Sequence, residues 1–295
     1  YYIWSDEDLG WSAPWGGNVW HPNGDRYYFG LFWSGMPDLN LANPEVEQAM
    51  GDAMAFWLDK GVDGFRVDAV RHLFESEDGV LVDQPETHAF MKRLRARLDP
   101  AHPKALYVAE AWTDSDTVAK YRGDHGEEFQ LAFSFDAANA LVAAARDGLK
   151  VSLLQYDATA AKAYADRGFE APFLTNHDMP RVMRQLQGDL PAAKIAAAAL
   201  LAMPGTPFIY YGEELGMQGG AQPKDEDKRT PMRWVPEPGH GFTTGRPWYD
   251  APEGPGVSVA EEQGQGSLRS VYRTAIRVRE GHRALARGDV TMLPV

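Results

Sequence analysis

The chain has 295 residues, with 42 acidic and 29 basic side chains, a formal net charge of −13 and no cysteine. At ~100–200 residues per domain the length suits one large domain or two ordinary ones, and the negative excess gains nothing from counterion release, which disfavours nucleic acid and an anionic membrane surface as partners. The absence of cysteine excludes a disulfide scaffold, a thiol nucleophile and a cysteine-ligated zinc, and leaves the compartment open.

Trp4, Trp11, Trp15, Trp20 and Trp33 fall in the first 33 residues, beside Tyr1, Tyr2, Tyr27, Tyr28, Phe29 and Phe32. Such a stretch either presents an aromatic ligand surface or packs as a small subdomain short of aliphatic residues. The opening Tyr1-Tyr2-Ile3-Trp4 has neither an initiator Met nor a charged-then-apolar leader pattern, and reads as part of a longer polypeptide. Asn43-Pro44-Glu45 then combines a capping residue, a Pro at the first helical position and an acidic first turn. Val46, Met50, Met54, Phe56 and Trp57 lie near one face of the helix that follows, and Lys60-Gly61 closes it.

Strands are expected at 64–69, 105–112, 129–135, 171–176 and 207–211, and helices at about 85–98, 137–167, 190–203 and 267–286. The charge-free run from Ile195 to Gly212 has the length of a membrane span, but Pro204, Gly205 and Pro207 break it into a helix and a buried strand, so no transmembrane segment is expected. Strand and helix alternating over most of the chain imply a parallel sheet with helical crossovers. A doubly wound sheet would show a Gly-rich phosphate turn after an early strand, and there is none. A (β/α)8 barrel instead places its chemistry at the C-terminal strand ends, where this sequence has its polar residues. The Gly- and Pro-rich stretch from Gly216 to Gly266 reads as a long loop, Glu213-Glu214 as structural, and Glu127-Glu128 and Glu261-Glu262 as solvated.

In Gly64-Phe65-Arg66-Val67-Asp68-Ala69, period-two alternation places Arg66 and Asp68 on one face, where a buried Arg would hold the carboxylate ionised, as a nucleophile needs. The strand from Ala105 ends in Glu110 after an apolar run, surroundings that raise a carboxyl pKa and suit a proton donor. The strand from Ala171 ends in Thr175-Asn176-His177-Asp178. Singly, each acid reads as a cap or surface ion pair and His177 as a core histidine; three strand ends finishing in carboxylates point to paired-carboxylate chemistry, and glycoside hydrolysis uses that equipment. The aromatic N-terminal stretch then fits a sugar-stacking surface.

These residues resemble the alpha-amylase family of glycoside hydrolases. Gly64 to His72 resembles its nucleophile segment, Val108 to Trp112 its proton-donor segment and Phe173 to Asp178 its third-carboxylate segment. Met36-Pro37-Asp38-Leu39-Asn40 looks like the motif ending domain B, and Asp227 to Trp234 is similar to a loop segment after strand eight. The resemblance implies Asp68 as nucleophile, Glu110 as general acid/base and Asp178 as the holder of sugar hydroxyls. Arg66 and His177 would complete the pocket, and Arg71 and His72 would lie toward the leaving group. It implies retention, with Asp68 and Glu110 ~5–5.5 Å apart, and Ala69 resembles members that cleave α-1,4 bonds.

The family's first motif has no counterpart here. The resemblance therefore implies the end of domain B at 1–42, strands four to eight of an incomplete (β/α)8 barrel at 43–288, and the opening of a C-terminal β domain at 289–295. A chain of this extent, with an unclosed sheet, is expected to be poorly stable and weakly active. No cofactor is implied for catalysis. A structural calcium is, for which Asp38 reads either as a ligand or as a turn residue. The implied partner is an α-glucan or maltooligosaccharide, and the full-length protein is expected to be a monomer. Alternatives are a transglycosylase of the same family, a relative that binds without catalysis, and an Mg²⁺-dependent phosphoryl-transfer enzyme using Arg66, Arg71 and Arg181 for phosphate.

Overall fold

The computed structural model describes residues 1–164, 167–249 and 253–288. They fall into two compact units: Tyr1–Trp112 with Lys120–Gln130, and Thr113–Ala119 with the described residues from Leu131 onward.

The first unit opens with an antiparallel sheet of β1 (Trp4–Ser5), β2 (Trp20–Asn23) and β3 (Arg26–Phe29), with β3 in the middle. The register sets Trp20 opposite Phe29, and these rings pack with Ala13, Val19, Leu31 and Leu81 into a small core. Trp4, Trp15 and Trp33 stay exposed. The packing reading of the aromatic stretch therefore holds for Trp20 and Phe29.

Helix α1 (Pro44–Asp59) starts where Asn43 Oδ1 accepts the Glu45 N–H at 2.9 Å. Its expected apolar face is only partly covered. Val46 and Leu58 are buried, whereas Phe56 and Trp57 are each 53% exposed. The cause is a polar helix contact: Arg93 of α2 (Pro85–Leu98) pairs with Glu47, and Arg97 lies across Gly51 to reach Asp52. β4 (Gly64–Val67) and β5 (Leu106–Ala109) pair in parallel, Arg66 beside Val108. They approach so closely at their start that a Cβ on Gly64 would lie 1.9 Å from the Leu106 carbonyl oxygen. Glu128, expected in solvent, is 1% exposed and carries His88 and Lys92.

The second unit contains α3 (Ser115–Lys120), β6 (Leu131–Ser134), α4 (Phe135–Asp147), α5 (Val151–Ala163), β7 (Glu170–Pro172), α6 (Val182–Gln185), α7 (Leu190–Ala202), α8 (Asp225–Lys228), α9 (Leu268–Gly281) and α10 (Arg283–Arg287). β6 and β7 pair in parallel, Ala132 beside Glu170, and Phe135, Ala138, Phe173 and Met179 cluster with Phe133 and Phe208.

Three expectations change here. The helix over 137–167 is two helices, because Gly148 takes φ 66° and ends α4. The final helix breaks at His282, which is extended. The strand at 207–211 does not form: Thr206 and Phe208 donate to the Glu170 and Pro172 carbonyls, but β7 stops at Pro172 and offers no acceptor further on. Among the described residues there are thus four parallel strands, β4 to β7, and no closed barrel. No helix among them is long and apolar enough to cross a membrane. The β domain expected at 289–295 lies outside the described residues.

Candidate active site

Asp68 stands one residue beyond the end of β4. Ala69 follows at φ 45°, a left-handed conformation uncommon for a residue with a side chain, and turns the chain into a single 3-10 turn over Val70–His72. The turn aims the Ala69 N–H at Glu110 Oε2, 2.8 Å away, and the Val70 N–H at the Glu110 carbonyl, 3.0 Å away. Glu110 in turn donates its own N–H to Val67. The two expected carboxylates are thereby joined through backbone as well as side chains.

Arg66 binds them at one atom. Its Nη2 lies 2.9 Å from Asp68 Oδ1 and 3.9 Å from Glu110 Oε2. The expectation of a buried pair is corrected, however: the Asp68 side chain is 74% exposed and that of Arg66 31%, because Asp68 projects past the last ladder residue. An ion pair this open contributes only ~0–1 kcal/mol to stability, so holding the fold is not its main effect. Glu110 is buried, at 7% exposure. The site thus offers one open carboxylate and one sheltered carboxyl beneath a single guanidinium.

The remaining expected residues of this unit have partners of their own. Arg71 turns to Asp83, with Nε and Nη2 on its carboxylate and Nη1 on the Trp112 carbonyl. His72 donates Nδ1–H to the Leu81 carbonyl at 2.9 Å, and burial lowers its pKa, which favours the neutral ring. The exposed rings of Trp15 and Phe32 stand edge-on to it at 5.6 and 5.9 Å. Asp38 accepts the Leu31 N–H at 2.6 Å, and burial raises its pKa. Burial, together with the charge of Asp38, also pushes the Glu75 carboxyl up to about 7. Two mutually repelling carboxyls fall well short of the six to eight oxygens calcium takes, and no group of three or more His, Asp or Glu among the described residues is placed to hold a metal ion. The donors present do not fit a calcium cage.

In the second unit, β7 ends three residues before Thr175 rather than running to Asn176. An Asx turn replaces it: Asn176 Oδ1 accepts the Asp178 N–H at 2.9 Å. Asp178 Oδ2 meets His177 Nε2 at 3.1 Å, and Oδ1 meets Arg229 Nη2 at 2.8 Å. Arg229 also reaches the His177 carbonyl and Asp225. Its part in the site was not visible from its own surroundings, since its partner lies 51 residues earlier. Arg181, considered above for phosphate, is 1% exposed, lies over the rings of Tyr210 and Tyr211 and donates to the Tyr211 and Thr230 carbonyls.

The family model described as the catalytic domain of alpha amylase matches residues 1–288. This chain belongs to the alpha-amylase family. It is 32% identical over 293 residues to Alpha-amylase 3 of Dictyoglomus thermophilum, covering 98% of this chain and 56% of that protein. It is 33% identical over 347 residues to the trehalose synthase/amylase TreS of Mycolicibacterium smegmatis, covering 98% and 57%. Among solved structures, the alpha-amylase from H. orenii superposes with a TM-score of 0.83 at 31% identity, over 100% of this chain and 59% of that one. The trehalulose synthase MutB from Pseudomonas mesoacidophila superposes with a TM-score of 0.84 at 25% identity, over 98% and 64%. The chain spans somewhat more than half the length of these alpha-amylase family relatives.

Proposed function

We propose that the protein is a glycoside hydrolase that cleaves α-glucosidic, mainly α-1,4, bonds of maltooligosaccharides by retaining double displacement, and that this chain is part of its (β/α)8 barrel. The observation that carries the reading is the single Arg66 nitrogen touching both Asp68 and Glu110. Its two contacts limit those oxygens to a separation of at most about 6.8 Å, their sum. That limit on one oxygen of each carboxylate is compatible with the retaining spacing of ~5–5.5 Å between the carboxyl groups.

The open Asp68 attacks the anomeric carbon. As that C–O bond breaks, the sheltered Glu110 gives its proton to the departing glycosidic oxygen. Glu110, now a carboxylate, takes a proton from a water that attacks the same carbon and releases Asp68. Arg66 orients the Asp68 carboxylate for the first step and lies close enough to Glu110 to offset its charge before the second. Asp178, steadied by Arg229, holds sugar hydroxyls.

A second reading is transfer to a sugar acceptor instead of water. It is favoured by the 33% identity to a protein named both trehalose synthase and amylase, and it shares every step up to the glycosyl-enzyme. Incubating the full-length protein with maltotetraose separates the two: shorter maltooligosaccharides born in the α-configuration support hydrolysis, and a new glucosidic linkage supports transfer. Glu110→Gln should lower turnover by about 10²–10⁴-fold and Asp68→Asn by at least as much. Unchanged turnover in either variant refutes the reading.

A further inference from the structure

We propose that Asp83 is a positioning residue that, by gripping Arg71, latches the turn after Asp68 to the segment after Glu110 and so holds the proton donor in place. The inference rests on the hydrolase reading above. Asp83 grips Arg71 from both sides. Its N–H donates to the Arg71 carbonyl at 2.8 Å, and its carboxylate accepts Arg71 Nε at 2.9 Å and Nη2 at 2.5 Å. A bidentate fork of this kind fixes direction as well as distance. Arg71 Nη1 extends the other way, to the Trp112 carbonyl at 3.0 Å. One guanidinium therefore ties a point three residues past Asp68 to a point two residues past Glu110.

The anchor is itself held. Asp83 has φ 53°, which an Asp tolerates better than most residues and which brings its backbone and side chain onto the same partner. Tyr121, fully buried, donates its hydroxyl to Asp83 Oδ1 at 2.7 Å and stacks on His88 at 4.8 Å, and His88 lies 2.7 Å from buried Glu128. Two residues before Asp83, the Leu81 carbonyl takes His72, so the short segment 81–83 holds the Arg71 and His72 side chains of the 3-10 turn. Burial alone would raise the Asp83 pKa, but the bonds from Arg71 and Tyr121 outweigh it and keep the carboxylate ionised. All three Arg71 nitrogens donate to protein acceptors, which gives the side chain the role of a brace.

The test exploits leaving-group chemistry. A sugar alkoxide needs the Glu110 proton, whereas fluoride departs from α-glucosyl fluoride with little acid assistance. In the full-length protein, Asp83→Ala is expected to lower kcat on maltotetraose about 30-fold, the scale of a sub-ångström misplacement. KM should stay within about twofold and turnover of the fluoride within about threefold. Tyr121→Phe, which removes one bond to Asp83 and keeps the ring, should show the same selectivity at about threefold, and it carries the test if the Asp83 variant fails to fold. Equal loss on both substrates, loss confined to KM, or no loss overturns the proposal. An unaltered protein that cleaves neither substrate overturns the hydrolase reading itself.

Discussion

In the first unit every contact that joins Asp68 to Glu110 comes from within two residues of Asp68: Arg66 from the same strand, the Ala69 and Val70 N–H groups, and Val67. In the second unit Asp178 has the Asx turn of Asn176 beside it, but its charged partner Arg229 comes from 51 residues further along. The same contrast recurs deeper in the second unit, where Glu213 depends on Tyr272, 59 residues later. A carboxylate pair organised by its own strand ends is legible from a short motif. A carboxylate organised by a distant arginine is not, and its geometry depends on how the intervening loop folds.

The largest test of this contrast is Arg66→Gln, which leaves both carboxylates without their shared cation; turnover of maltotetraose by the full-length protein should fall about 100-fold, with little change in melting temperature because the pair is exposed. A large drop in melting temperature would show the pair to be structural instead. Arg229→Gln should cost less, about tenfold, since His177 and the Asn176 turn still hold Asp178. If Arg229 proves the more costly of the two, the contrast between local and distant support is reversed.

The smallest expected effect is on stability and concerns Glu213. Burial pushes its carboxyl from 4.5 up to about 8; the Tyr272 hydroxyl opposes the shift and the charge of Glu214 adds to it. The folded state thus keeps a proton that the unfolded chain has lost between those values, so stability falls as pH rises through that window and is flat in this group below it. Melting measured at pH 5 and pH 8 should show a larger drop in the unaltered protein than in Glu213→Gln. Equal drops would mean that Glu213 is ionised in the fold.

Much of the fold could be read directly. Asn43 with Pro44 places the start of α1, Pro85 that of α2, and Gly64, which alone fits against Leu106, marks where β4 begins. The failures have one physical origin. The charge-free apolar run suggests a strand at 207–211, but only Thr206 and Phe208 find acceptors on β7, at Glu170 and Pro172, where β7 ends. Likewise Phe56 and Trp57 are apolar residues of α1 that stay 53% exposed, while Val46 and Leu58 of the same helix are buried.

The chain's residues alone established the family, the placement of Asp68 and Glu110 at strand ends and the pairing of Arg66 with Asp68, because each of these is written within a few consecutive positions. Only the folded chain showed that Asp68 is open and Glu110 sheltered, that Arg71 is a brace on Asp83, and that Arg229 serves Asp178. Burial and charge pairing are set by what the rest of the chain brings alongside a residue, and sequence distance does not encode that.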